Sequence, residues 1–289
     1  MRRPLTATAL ALFLTLPALG EKVDLRGPAP KAGEVTVSTV ESKMEAGNLN
    51  MTMQGQNLPG QMEMSSNHVV ETTLVEVAEG EATKVQHKFE KASTKTKMTI
   101  FGQQQEQEDD SMEGATMTQT KTDDGWESTI EGVVLPPQAK DMIKEAGYVD
   151  QRNVFPEKPV AVGDKWKAEN EMLQTFMGQS ALPGAKVEGE IAFELVEIKE
   201  VDGNKIAVID YTMDGKVTMD MSPDPNTQMD LVIEMDGKGQ LERNVSNYTT
   251  NQTFEGEMKM TNEVKSGGQQ VMSMTGKMPM TTKTTQTRK

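Results

Sequence analysis

The fold is decided by Leu195-Val196-Glu197-Ile198-Lys199-Glu200-Val201-Asp202-Gly203-Asn204-Lys205-Ile206-Ala207-Val208-Ile209-Asp210-Tyr211-Thr212-Met213. Ala207, Ile209, Tyr211 and Met213 fall on every second position, which puts them on one face of a strand. Asp202-Gly203-Asn204 is turn chemistry, and an apolar run lies on either side of it.

The same pattern repeats outward. Val35, Val37 and Thr39 alternate, as do Val85, His87 and Phe89, and Met229, Leu231, Ile233 and Met235. Abundant Thr suits a pleated surface. Leu58-Pro59-Gly60, Glu79-Gly80-Glu81 and Asp236-Gly237 separate the runs. Short turns between strands dictate an antiparallel meander, because parallel neighbours need long crossovers.

The opening stretch also has an echo. Leu74-Val75-Glu76-Val77 precedes Lys84-Val85 as Leu195-Val196-Glu197-Ile198 precedes Lys205-Ile206, both at a shift of 121 residues. Met98 aligns with Met219 at the same shift, Gly55–Gly60 with Gly178–Gly184 at 124, and Gly33-Glu34 with Gly163-Asp164 at 130. The conserved order predicts an internal duplication. The expected layout is a first β module over 21–134, a helix and Pro-rich linker over 135–162, a second β module over 163–265, and a flexible Met/Thr-rich tail over 266–289. Each module should hold about five strands, forming one curved open barrel or two packed lobes.

Composition narrows the function. The 289 residues carry 30 basic and 44 acidic side chains, a formal net charge of −14, with no Cys and two His. No disulfide scaffold or thiolate nucleophile is possible, and an acidic chain without a basic stripe is a poor partner for nucleic acid. Arg2 and Arg3, the apolar run Leu5–Leu16 and the small residues Ala18 and Gly20 read as a secretory signal over residues 1–20. No Cys follows the expected cut before Glu21, which argues against a lipoprotein anchor. No later segment is apolar enough for a transmembrane helix, so a periplasmic or secreted protein is expected. Two Trp, three Tyr and seven Phe are too few for the aromatic girdles of an outer-membrane barrel.

Between the modules, Pro136-Pro137 opens a segment of good helix formers, Gln138–Ala146, ending at Gly147. Next comes Phe155-Pro156-Glu157-Lys158-Pro159-Val160-Ala161-Val162-Gly163-Asp164-Lys165-Trp166. This stretch resembles the LPEKPVxVGDxW segment of a family of uncharacterised secreted bacterial proteins. The resemblance implies an exported, β-rich protein and assigns no active site. The motif's own chemistry is structural: prolines fix the chain direction, Gly-Asp turns it, and Trp166 buries a large surface at a strand start.

Methionine is the unusual residue, with 23 copies. Met-x-Met occurs at 51/53, 62/64, 219/221, 258/260, 272/274 and 278/280, and on a strand this spacing puts both thioethers on one face. Three roles are open. Methionine can replace leucine as core filler. It can line a pocket for a lipid or other hydrophobic small molecule, with Met213, Met219, Met221, Met229 and Met235 as the candidates. It can also bind Cu(I) or Ag(I), with Met272, Met274, Met278 and Met280 as the candidates.

Other constellations are weak. His68 and His87 lie too far apart for a local ligand pair, and no nucleophile elbow is present. Glu106–Asp110 reads as a solvated loop. Asp210-x-Thr212-x-Asp214-Gly215 begins like a calcium loop, but Met221 stands where the bidentate Glu belongs. Sugar platforms are limited to Trp126 and Trp166. No catalytic residue and no cofactor is therefore expected, and the reading is a non-catalytic binding or structural protein of the cell envelope.

Overall fold

The alternation extends into strands far longer than the apolar runs that announce it. In the computed structural model these are β1 (Lys22–Val23), β2 (Val35–Met53), β3 (Gln56–Ala78), β4 (Glu81–Ile100), β5 (Gln103–Asp109), β6 (Thr116–Thr122) and β7 (Gly125–Glu131). The chain continues with β8 (Val160–Ala161), β9 (Lys165–Lys167), β10 (Lys186–Val201), β11 (Asn204–Asp220), β12 (Thr227–Asn244), β13 (Thr250–Ser266) and β14 (Gln269–Arg288). The structure describes residues 20–53, 55–100, 102–135, 147–168, 173, 186–220, 222, 227–267 and 269–289. The expected signal residues 1–19, the helix expected within 138–146 and Met221 lie outside them.

Twelve strands form one antiparallel sheet in the order β7-β6-β4-β3-β2-β14-β13-β12-β11-β10-β9, with β5 paired to the end of β4. A single sheet thus runs through both halves of the chain, instead of one sheet per lobe. Its outer strands β7 and β9 do not pair with each other, so the barrel is not closed. Two expectations are corrected. The tail over 266–289 is not a flexible end: β14 sits between β13 and β2, paired along both edges. Its Thr-rich half carries Thr on both faces, and burial alternates there because a neighbouring strand is present on each side. Glu106–Asp110 is not simply a loop, since it enters β5 and pairs with β4 while staying exposed.

Two places share one geometry. Gly33 N donates to Leu74 O at 2.7 Å and Leu74 N to Glu34 O at 2.9 Å. Gly163 N donates to Leu195 O at 2.7 Å and Leu195 N to Asp164 O at 3.0 Å. A register shift follows both leucines. Each hairpin then turns on an acid–Gly pair with positive φ, Glu79-Gly80 at 53° and 83° and Asp202-Gly203 at 50° and 74°.

The core lies on one face of the sheet, called inner here, and mostly over β10–β13. Ile191, Leu195, Ile209 and Val217 are fully buried, with Phe193, Tyr211, Met213, Met235, Leu241 and Phe254 close to it. Each such aliphatic side chain contributes about 1.5–3 kcal/mol. An aromatic row crosses the strands: Trp166 stacks on Phe193 at 5.5 Å, Phe193 meets Tyr211 at 5.7 Å, and Tyr211 stacks on Phe254 at 6.3 Å. Gly239 lies in register between the last two, and a Cβ there would come within 2.3 Å of the Tyr211 ring. Trp166, expected to anchor a strand start, does so on β9, and its Nε1 donates to Val154 O at 2.9 Å. Over β3 and β4 the comparable cluster among the described residues is Leu74, Ala82 and Val85, flanked by Val77, Trp126 and Tyr148.

Two segments cross the inner face and close it. Residues 22–30 are held by the β1–β8 pair and by Arg26 Nη2, which donates to Asn153 Oδ1 at 2.7 Å. Residues 147–155 contain a 3-10 turn, Gln151–Val154, capped by the Asp150 carboxylate accepting from Arg152 N.

Candidate functional site

The two crossing segments and the inner face enclose two adjoining cavities. The first, about 410 Å³, is lined from β6 (Met117, Gln119) through β4 (His87, Phe89), β3, β2 and β14 to Arg243 on β12. Six strand spacings of about 4.8 Å would separate β6 from β12 by roughly 29 Å in a flat sheet. One cavity touching both therefore requires the sheet to curl around it.

This cavity is polar and cationic. Arg26, Arg152, Arg243 and Arg288 line it, against Glu34 and Asp150 as the carboxylates. Arg152 forks onto Asp150, with Nε at 2.9 Å from Oδ2, and its Nη1 donates to Pro28 O at 2.7 Å. Arg288 pairs with Glu34. Arg243 differs. It is 4% exposed, its Nε donates to Leu25 O at 2.5 Å, and its Nη1 donates to Thr250 Oγ1 at 2.8 Å and Tyr248 O at 3.1 Å. Its guanidinium lies 4.3 Å from the Phe155 ring centroid and 5.1 Å from that of Tyr248. Among the described residues no carboxylate is paired with it. Burial brings its pKa down to about 10, which still leaves it protonated at neutral pH.

His87 forms the opposite wall. Its Nδ1 lies 2.9 Å from Thr72 Oγ1 and its Nε2 2.9 Å from Gln119 Oε1. Gln119 Nε2 in turn donates to Ser128 Oγ at 3.2 Å. The neutral imidazole satisfies this chain, with Nε2–H donating to Gln119 and the Thr72 hydroxyl donating to Nδ1. Burial pushes the His87 pKa below 6.5, against the Gln119 hydrogen bond, which favours the charged form. A triad also needs a carboxylate to orient the base, and the residues named in the His87 chain, Thr72, Gln119 and Ser128, supply none.

The second cavity, about 300 Å³, is apolar. Met213, Met235, Leu241, Phe254 and Met280 face Val154 and Phe155 across it. Ser38, Gln151, Phe155 and Gln286 line both cavities, so the polar space opens onto the apolar one. Against β9–β13 there is also a more open groove of about 710 Å³ with a mixed rim, Lys165, Lys167 and Lys238 facing Glu194, Asp210 and Glu255.

The methionines chosen from sequence separate into groups. Met213 and Met235 line the apolar cavity. Met219 is buried in the same core cluster but not at the cavity wall, and Met229 is half-buried on β12. Met280 lines the cavity and Met278 is fully buried, while Met272 and Met274 are half-buried near the far end of β14. Sequence reasoning overlooked Arg243, although one signal was available. Arg243 has the same odd parity as Met229, Leu231, Ile233, Met235 and Leu241, a charge placed on the inward positions. Arg152 gave no such signal, since its segment has no period.

The chain matches no protein-family model and no curated protein.

Proposed function

We propose that this is an exported, non-catalytic binding protein of the cell envelope, which carries an amphiphilic small molecule with an anionic head. The two adjoining cavities carry the reading. An acyl or similar apolar part fits among Met213, Met235, Leu241, Phe254 and Met280. The head lies near Arg243, the lining arginine with no paired carboxylate among the described residues. In a chain of formal charge −14, a cavity with four arginines and two carboxylates is a local inversion of sign, and such a site selects anions over cations. A volume of a few hundred Å³ with a few polar groups is typical of small-molecule sites. Export rests on the signal-like residues 1–20, and the resemblance of Phe155–Trp166 to secreted bacterial proteins agrees with it. We further propose that the sheet arose by duplication, supported by the equal clamps at Leu74 and Leu195.

The test is uptake of a fluorescent fatty acid by the full chain, together with native mass spectrometry of protein purified from its own envelope. Expected results are a bound small mass, saturable uptake, loss of uptake in Thr284→Trp, which fills the apolar cavity that Thr284 lines from β14, and weakened uptake in Arg243→Met. A chain that carries no mass and takes up no fatty acid overturns the reading.

A further inference from the structure

Every methionine of β2, β3, β4 and β11–β14 points to the inner face, a fact invisible along any one strand. Two neighbouring rows concentrate them. In the first, Met280 on β14 lies opposite Met44 on β2, which lies opposite Met64 on β3. In the second, Met235 lies opposite Met258 and Met258 opposite Met278. Beyond Met278 this row passes Gly47 and reaches Met62, opposite Met98. Gly47 leaves the space that Met278 fills, since a Cβ at 47 would come within 2.3 Å of the Met278 Cγ.

We propose that Met44, Met64 and Met280 form a three-thioether site for a soft monovalent cation, Cu(I), with Met62 and Met278 closing it from the next row. Side chains directly opposed on adjacent strands have Cβ atoms about 4.5–5.5 Å apart. Three unbranched thioethers on consecutive strands, the central one flanked on both sides, can therefore turn their sulfurs to one point. Thioether sulfur is a neutral, soft ligand that selects Cu(I) over hard cations. Hard cations find no alternative nearby, because among the described residues no three His, Cys, Asp or Glu gather. Met44 is buried, whereas Met64 and Met280 are half-buried, and Met280 also lines the apolar cavity, so the site is open at its two outer members. Core filling alone does not require this grouping: the next row of the same face uses Leu49, Gly60 and Ile100. The assignment moves the candidate ligands from one strand, Met272 to Met280, to three. It stands independently of amphiphile binding.

The experiment uses the full chain labelled with carbon-13 at the methionine methyls, titrated with Ag(I) as a redox-inert probe and then with Cu(I) under reducing conditions. The Met44, Met64 and Met280 methyl resonances are expected to shift first and saturate at equimolar metal. The Met44→Leu/Met64→Leu/Met280→Leu variant is expected to lose that uptake, and Met272→Leu/Met274→Leu, at two half-buried methionines that line neither cavity, to keep it. The proposal is overturned if the wild-type chain takes up no equimolar metal, if the shifts spread evenly over all methionines, or if the triple variant binds as before. Should the triple variant not fold, the wild-type shift map decides alone.

Discussion

One sheet face has two characters. Following a single register row inward from the β9 edge gives Trp166, Phe193, Tyr211, Gly239 and Phe254, and then Thr282, Ser42, Ser66 and Thr94. The first part stacks ring on ring. The second pairs hydroxyls, Ser42 Oγ lying 3.1 Å from Thr282 Oγ1. Both obey the same alternation and both point inward. Period therefore tells which side of a strand faces in, while side-chain chemistry decides whether that side is dry. A hydroxyl facing inward is tolerated where it finds a partner or a wet cavity, and costs stability elsewhere. The row thus marks where a ring-stacked apolar core gives way to a polar inner face.

The sharpest way to break this comparison is to truncate the two clamped leucines. Leu195 is fully buried in the large cluster, and Leu74 is 7% exposed in the small one beside the polar cavity. Leu195→Ala is expected to cost about 4 kcal/mol and Leu74→Ala about 2 kcal/mol, because a site next to a cavity has fewer contacts to lose. Urea unfolding of both variants measures the difference. Equal costs would mean that the two halves are equally well packed.

Much of this division could be read from residues. The alternation of Ala207, Ile209, Tyr211 and Met213 gave both strand and inward face, and β11 keeps that parity through Met219. The equal shift at Leu74/Leu195 pointed to paired positions that share hydrogen-bond geometry, whereas the equal shift at Lys84/Lys205 did not, since Leu74 pairs with Val85 but Leu195 with Ile209, three residues beyond Ile206. The tail gives no burial signal of its own, because Thr stands on both faces of the strand and marks neither as inner; β14 is held by neighbours, and its partner β2 lies more than two hundred residues away in sequence. The same distance hid the methionine rows, since Met44 and Met280 meet only through pairing. The cavity was out of reach because the segment over 147–155 has no period from which to place it.

A second test uses the wet half alone. His87 and His68 are the only imidazoles, and burial lowers both pKa values from 6.5. In each case the unfolded chain binds the proton at a higher pH than the folded chain does. Their stabilising contribution is therefore complete above pH 6.5 and is lost as pH falls below it, ahead of the carboxylates. One proton accounts for a slope of at most about 1.4 kcal/mol per pH unit. His87→Gln is expected to reduce the loss of stability between pH 6.5 and 5, followed by urea unfolding at each pH. An unchanged slope would show that His87 is not held neutral by its burial.

The smallest effect makes the finest comparison, because one kind of change should carry opposite signs in the two halves. Asn262 is 7% exposed on β13, in register with Leu231 and Met274, and its Oδ1 has no hydrogen-bond partner among the described residues. A buried acceptor left unpaired costs about 1–3 kcal/mol, so an apolar residue of adequate size removes a penalty. Asn262→Leu is expected to stabilise by about 1 kcal/mol, seen as a higher melting temperature. Gln119 is 2% exposed, but it links His87 to Ser128. Gln119→Leu deprives both neighbours of a partner and is expected to destabilise. A loss in both variants would mean that Asn262 Oδ1 holds a water or a ligand, so that the methionine end of the face is also binding space and the boundary lies further along the sheet.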